Sequence, residues 1–152
     1  MIESNKKKLA LIVLLFVLFI LTLRAASAEV YINEFLADSS LAEPANEWIE
    51  LYYNGTGTVD LARWYFRDAG SRGINLTGTL STANRYISFN GSQNGISLNN
   101  GGDQIYLYDD LGTLIDNTTY TTSVTDISRG RYPDGSLPPM VLMNMTRSAP
   151  ND

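Results

Sequence analysis

Two carboxylates and three aromatic side chains are concentrated in the segment EWIELYYNGTG, residues 47–57. Glu47 and Glu50 are of the residue type that glycosidases use as an acid and a base, and such a pair must flank one bond. Side chains three positions apart on a strand point to opposite faces, because they alternate. The spacing therefore predicts that Glu47 and Glu50 support the framework, with Glu50 facing water or a cross-strand partner.

Other catalytic groups are limited by composition. The chain contains no cysteine and no histidine, which excludes thiolate nucleophiles, Ser-His triads and zinc sites built on Cys or His. Serine and aspartate are present, but no base of suitable type stands beside them in the sequence. We therefore expect a protein that is not an enzyme and that carries no cofactor.

Two groups of acidic residues raise the question of calcium, which favours several oxygen ligands. Neither group has the Asp-x-Asp-x-Asp-Gly spacing of a calcium loop, and loop carboxylates are usually solvated. We therefore predict no metal site. The groups are Glu34, Asp38 and Glu43, and Asp109, Asp110 and Asp116.

Three tyrosines could contact a sugar. Tyr106 and Tyr108 lie two apart in a predicted strand, so their rings stand roughly 7 Å apart on one face, and alternation also exposes Tyr52. An aromatic face offers apolar contact beside a polar hydroxyl, so Tyr52, Tyr106 and Tyr108 form a candidate ligand platform. The competing interpretation is that tyrosine favours strands and pairs across them.

The N-terminus has the pattern of an export signal. MIESNKKK is positively charged, LALIVLLFVLFILTL is an apolar run, and AASA ends in small residues. These features predict a signal peptide over residues 1–28, cleaved after Ala28, since a spanning helix needs roughly 20 apolar residues. An uncleaved anchor is the alternative, and in either case residues 29–152 are exported, to the medium or the cell envelope.

The predicted mature chain is acidic. All three lysines and Arg24 lie in the leader, so residues 29–152 keep seven arginines against fifteen carboxylates, a net charge of −8. A nucleic-acid-binding domain needs a basic face, so we expect no nucleic acid partner. Contact with a membrane is expected only through an uncleaved N-terminal segment.

Short apolar runs with a period of two fill the rest of the chain, as in EWIELYY, RYISF and DQIYLYD, and clusters of Gly, Asn, Asp and Ser separate them. This pattern favours many short strands and predicts an all-β sandwich of seven or more strands. The glycines of NGTG (54–57) predict a tight hairpin through positive backbone angles, and DDLG (109–112) predicts a turn closed by glycine. In VDLARWYF (59–66) the alternation slips near Arg63, which predicts a bulge or bend there, with Trp64 and Phe66 in the core.

Five motifs in order give the chain a resemblance to the lamin-tail domain of the prokaryotic exported type. They are VYINEF (30–35), NEWIELYYNGTGTVDLARW (46–64), NNGGDQIYLYDDLGTLID (99–116), GRYPDGS (130–136) and RSAPND (147–152). The chain departs from the usual pattern at Arg63, where glycine is common, at Tyr53, where asparagine is common, and in lacking a closing Thr-Pro-Gly. The resemblance implies an immunoglobulin-like β-sandwich over residues 29–152 and a non-catalytic accessory role.

Taken together, these features predict a secreted or envelope-associated binding or structural module whose partner is another surface protein. The alternative is a carbohydrate-binding module that uses the three tyrosines. Five Asn-x-Ser/Thr sequons make the exported chain a candidate glycoprotein in a glycosylating host. Their asparagines are Asn54, Asn75, Asn90, Asn117 and Asn144.

Overall fold

The computed structural model describes residues 29–70 and 73–151. The predicted signal peptide and its cleavage site lie outside the described residues. The described chain contains eleven strands: β1 (Val30–Leu36), β2 (Trp48–Tyr53), β3 (Thr58–Asp60), β4 (Tyr65–Arg67), β5 (Gly73–Asn75), β6 (Thr79–Ser81), β7 (Tyr86–Asn90), β8 (Asp103–Tyr108), β9 (Leu114–Tyr120), β10 (Ser128–Gly130) and β11 (Val141–Met143). One short helix, α1 (Gly91–Asn94), follows β7.

The strands form three antiparallel sheets. The five-stranded sheet has the order β11-β10-β1-β2-β7, the four-stranded sheet has the order β5-β4-β8-β9, and β3 pairs with β6 alone. The predicted all-β, immunoglobulin-like sandwich is therefore confirmed.

The core lies between the two larger sheets and follows the predicted alternation. Ile49 and Leu51 of β2 point inward from one sheet, and Ile105 and Leu107 of β8 point inward from the other. The ring of Phe66 on β4 meets a ring from the opposite sheet, Phe89 on β7, edge to face with centroids 5.8 Å apart.

Strand β1 departs from simple alternation. Its pairing with β2 shifts register between Ile32 and Glu34, as a β-bulge does when one strand carries an extra residue. Ile32 and Phe35 consequently both enter the core, while Glu34 lies opposite Glu50 on the outer face of the five-stranded sheet. The sequence reading did not anticipate this placement.

The predicted hairpin at NGTG is wrong. Strand β2 pairs with β1 and β7, whereas β3 pairs with β6 in a separate sheet. Gly55 is needed for close packing: a Cβ there would lie 2.4 Å from the hydroxyl oxygen of Tyr53. That hydroxyl also accepts the backbone N–H of Gly57 at 2.9 Å, and neither glycine is among those with positive φ.

Two other turn predictions are confirmed. Gly112, with φ of 79°, closes the turn that joins β8 to the paired strand β9. Arg63 has a φ of 69°, which reverses the chain between β3 and β4 and explains the slip in alternation. Phe66 is fully buried as predicted, but Trp64 is only half-buried against the core.

A buried arginine ties the two larger sheets together. Arg131, which is 2% exposed, donates to both carboxylate oxygens of Asp116 on β9 at 2.9 Å. Its Nε also donates to the carbonyl of Ile32 on β1 at 2.8 Å. A buried ion pair of this kind fixes the relative position of the strands, because removing either charge leaves the other without a partner.

Candidate functional site

Glu47 and Glu50 lie in separate environments. The Oε2 atom of Glu47 accepts the backbone N–H of Leu98 at 2.5 Å, beside the loop before β8. Glu50 points to the outer face of the five-stranded sheet, where Ser88 of β7 donates to it at 3.2 Å. The two carboxylates therefore share no hydrogen-bond partner, and Glu50 has the predicted cross-strand partner.

The other alternative for Glu50, contact with water, does not hold. Glu50 and its neighbour Glu34 are both 0% exposed, because residues 144–151 cross over the outer face of the sheet. We call residues 144–151 the C-terminal cover.

The cover holds the two carboxylates through its backbone and hydroxyl groups. The backbone N–H of Thr146 donates to Glu34 Oε1 at 3.0 Å, and its hydroxyl lies 2.8 Å from Glu34 Oε2. The backbone N–H of Ser148 donates to Glu50 Oε2. At the end of the cover, the side-chain amide of Asn151 donates to the carbonyls of Arg131 at 2.8 Å and Asn33 at 3.3 Å.

An arginine and a turn complete the covering. The guanidinium of Arg147 lies 5.5 Å from the ring centroid of Trp48, which is a cation–π contact. In the turn at residues 133–136, Asp134 accepts the hydroxyl of Tyr86 at 2.5 Å and the amide of Asn33 at 2.8 Å. Burial and the bond to Asp134 together raise the pKa of Tyr86.

Burial also changes the titration of the acidic residues. Burial, together with the neighbouring Glu34, raises the pKa of Glu50 to about 7, although the hydrogen bond from the Ser148 N–H acts in the opposite direction. Burial likewise raises the pKa of Glu47 to about 7, opposed by the Leu98 N–H. Glu50 Oε1 has no hydrogen-bond partner among the described residues.

The structure separates the three tyrosines of the candidate platform. Tyr52 lies on the outer face of the five-stranded sheet, between the rings of Tyr31 at 6.5 Å and Tyr86 at 5.1 Å. Tyr106 and Tyr108 lie together on the four-stranded sheet, 6.3 Å apart. The two groups are on different sheets, so they cannot act as one platform.

On the four-stranded sheet, neighbouring groups occupy the tyrosine faces. Tyr65 of β4 stacks on Tyr108, with centroids 5.1 Å apart and planes inclined by 13°. Arg67 lies over both rings, at 5.3 Å from Tyr65 and 5.9 Å from Tyr108. This arrangement is the cross-strand pairing that the sequence offered as the alternative to a sugar platform.

The five sequon asparagines differ in accessibility. Asn54, Asn75, Asn117 and Asn144 are exposed. Asn90 is half-buried, and its side chain caps α1 by accepting the backbone N–H of Gln93 at 2.9 Å. Asn117 also lines a groove of about 400 Å³ between β9 and residues 138–140.

The acidic residues considered for calcium are dispersed. Glu34 lies under the cover, whereas Glu43 binds the backbone N–H of Ser39 in the loop after β1. Asp116 is paired with Arg131, and Asp110 bridges to Arg63 on the surface. Within the described part of the chain, no three potential metal ligands converge.

None of the described helices is long and apolar enough to cross a bilayer.

Sequence reasoning missed Arg131 and Thr146, and it considered Glu34 only as a possible calcium ligand. The bulge in β1 and contacts across about a hundred residues bring them together. The only available signal was INEF itself, an acidic residue beside an asparagine in a strand that is otherwise apolar.

Comparison with known proteins identifies one family. The family model described as Lamin Tail Domain matches residues 24–122 of the chain. Comparisons with curated proteins and with solved structures gave no match. The matched residues include β1 to β9 and end before the C-terminal cover.

Proposed function

Because the chain belongs to the lamin tail domain family, we propose that it is an exported, non-catalytic module that attaches to another protein. Its immunoglobulin-like sandwich is a structural framework. The leader pattern of residues 1–28 supports export, and the separation of Glu47 from Glu50 supports a role without catalysis.

The observation that carries the attachment proposal is the edge strand β11. It is the terminal strand of the five-stranded sheet and, among the strands that the structure describes, pairs only with β10. A strand with one free edge can accept a strand from a partner, which is a common mode of peptide recognition.

The side chains around this edge are unusually apolar for a solvent-facing strand. Val141 and Leu142 are 46% and 47% exposed, and nearby Leu137 and Met145 are also exposed. A sheet edge can pair with a strand of another chain, and the exposed side chains of Val141 and Leu142 present apolar surface on both faces of this edge. The edge of β11 therefore has the character of a protein interface.

Leu142→Lys tests this proposal by placing a charge on the edge. The protein is crosslinked in its native envelope preparation, and the captured partner is compared between wild type and variant. Leu111→Lys is the matched control, since Leu111 is 85% exposed in the turn between β8 and β9. We expect Leu142→Lys to lose the partner and Leu111→Lys to keep it. Equal capture by both variants would show that β11 is not part of the interface.

Glycan binding, the alternative function, receives less support. The faces of Tyr65 and Tyr108 contact each other and Arg67, whereas a sugar would have to stack on a free aromatic face. Tyr106→Ala remains the direct test, with retention on a glycan array as the measurement.

A further inference from the structure

We propose that the outer face of the five-stranded sheet is a second interaction surface, closed by the C-terminal cover while the buried Glu50 beside Glu34 holds a proton, and open to a basic extended segment of a partner protein when that proton is lost. This inference rests on the proposed attachment function and adds a site and a condition to it. It concerns a face of the sheet, whereas the attachment already described uses the edge strand β11.

The cover satisfies its carboxyl groups incompletely. Glu34 and Glu50 lie opposite each other on adjacent strands, and both are fully buried. Buried polar groups in folded proteins nearly always have a partner, so an exception requires an explanation. Glu50 Oε1 is such an exception within the described chain.

The cover also supplies too few hydrogens for the acceptors that it meets. The hydroxyl of Thr146 lies 2.8 Å from Glu34 Oε2 and 2.7 Å from Asn151 Oδ1. A hydroxyl has one hydrogen to donate, so it can satisfy only one of these two acceptors. The closed cover therefore leaves one of these contacts without a hydrogen.

The cover supplies no positive charge to the two carboxyl groups. It offers Glu34 and Glu50 only uncharged donors, and neither carboxyl group belongs to the ion pairs found among the described residues. Loss of the proton would leave adjacent buried negative charges, and this cost is relieved when the cover lifts and water reaches them. The raised pKa of Glu50, about 7, agrees with a cover that favours the protonated form.

The groups that face the carboxyl pair from the packed elements do not neutralise it. Strand β2 contributes Tyr52 and β7 contributes Tyr86, and neither side chain is a cation. From the C-terminal residues, the acid Asp134 accepts a hydrogen bond from the hydroxyl of Tyr86. The nearby cation of the cover is Arg147, and it stacks on Trp48.

The chemistry of the uncovered face specifies its partner. Lifting the cover would expose two carboxyl groups together with Trp48, on which Arg147 stacks. Arginine pairs with carboxylates in a bidentate manner and stacks on aromatic rings, and Arg147 already makes the stacking contact in cis. An extended segment with two arginines therefore fits the face better than the cover does once Glu50 is ionised.

Hydrogen exchange of the full chain tests the opening step. Between pH 5 and pH 8, the protection factors of the Thr146 and Ser148 amides, corrected for intrinsic exchange, should fall by about 70-fold. This is the change expected when Glu50 has a pKa of about 7 while the cover is closed and its ordinary pKa of about 4.5 while the cover is open. Glu50→Gln should abolish most of this change, because burial of Glu50 is the main cause of its raised pKa. Glu47→Gln is the matched control, because Glu47 is a buried acid with a similar pKa away from the cover, and it should leave the change intact. Equal protection at both pH values, or equal behaviour of Glu50→Gln and Glu47→Gln, would overturn the proposal.

Fluorescence polarisation tests the partner, with a labelled peptide Gly-Arg-Ser-Arg-Ser-Gly and its citrulline analogue. The arginine peptide should bind wild type at least tenfold more tightly at pH 8 than at pH 5. Glu50→Gln should weaken it at least tenfold at pH 8, whereas Glu47→Gln, which loses the same charge, should not. A cover that opens without preference for the arginine peptide would overturn this inference, while loss of capture by Leu142→Lys would still support attachment through β11.

Discussion

The raised pKa values of Glu47 and Glu50 predict that the protein loses stability as the solution becomes less acidic. Both carboxyl groups titrate near 4.5 in the unfolded chain and near 7 in the folded protein. At pH values between these limits the folded protein binds more protons than the unfolded chain, so the free energy of unfolding falls as pH rises. The stabilising effect is complete below pH 4.5 and is lost as pH passes through 7.

The magnitude follows from the size of the shift. A change of one pKa unit corresponds to about 1.4 kcal/mol, so a shift from 4.5 to about 7 corresponds to ~3 kcal/mol for each group. The two groups together could remove ~6 kcal/mol between pH 4.5 and pH 8.5, against a typical total stability of about 5–15 kcal/mol. Burial also raises the pKa of Asp116, which acts in the same direction.

Urea unfolding at four pH values from 4.5 to 8.5 measures the effect, with the midpoint as readout and the slope m as a check that the transition is unchanged. Glu50→Gln should remove about half of the pH dependence, and the double variant with Glu47→Gln should remove most of it. Restricting the range to pH 4.5 and above avoids Asp109 and Asp126, whose pKa values hydrogen bonds lower. A midpoint that stays constant or rises from pH 5 to pH 8 would refute the assignment of buried, proton-binding glutamates.

Three further pairs of substitutions test the packing. Arg131→Ala should cost about 3–5 kcal/mol in urea unfolding because it leaves Asp116 buried without its partner, whereas Arg63→Ala, which removes an exposed pair, should cost under ~1 kcal/mol; equal effects would contradict the burial of Arg131. Phe66→Ala should cost about 3–5 kcal/mol and Trp64→Ala distinctly less, since only Phe66 is fully buried, and the reverse order in thermal melts would contradict the packing. Gly102→Ala should cost about 1–3 kcal/mol, because Gly102 has a φ of 120° and its Cβ would lie 2.8 Å from the carbonyl oxygen of Tyr120; Gly101→Ala, with open space around it, should be nearly neutral in the same assay.

The sandwich could be predicted because its determinants are local. Alternation in β2 and β8 assigns Ile49, Leu51, Ile105 and Leu107 to one face of each strand, and that assignment holds in the structure. Turn residues such as Gly112 also act over a few positions. These signals can be recognised in the sequence without knowing which strands pair.

Strand pairing was harder to predict, because it depends on contacts distant in sequence. The NGTG segment has the composition of a hairpin, yet β2 is held by β1 and β7. Gly55 serves instead to make room for the side chain of Tyr53. Composition cannot distinguish a glycine that reverses the chain from one that makes room for a neighbour.

The covered face shows why alternation alone could not locate the candidate site. Alternation separates the two faces of a strand but does not say that the second face meets solvent. In this protein the second face of β2 meets the C-terminal cover, whose contact with Glu34 spans 112 positions in sequence. The family match ends at residue 122, before the cover, whereas residues 147–151 of the RSAPND motif, which supports the resemblance to that family, form most of the cover. The cover buries two adjacent carboxyl groups, and one of their oxygens, Glu50 Oε1, has no hydrogen-bond partner among the described residues. A segment that only stabilised the sheet would gain more by burying apolar side chains, and this is why we propose a contact that opens.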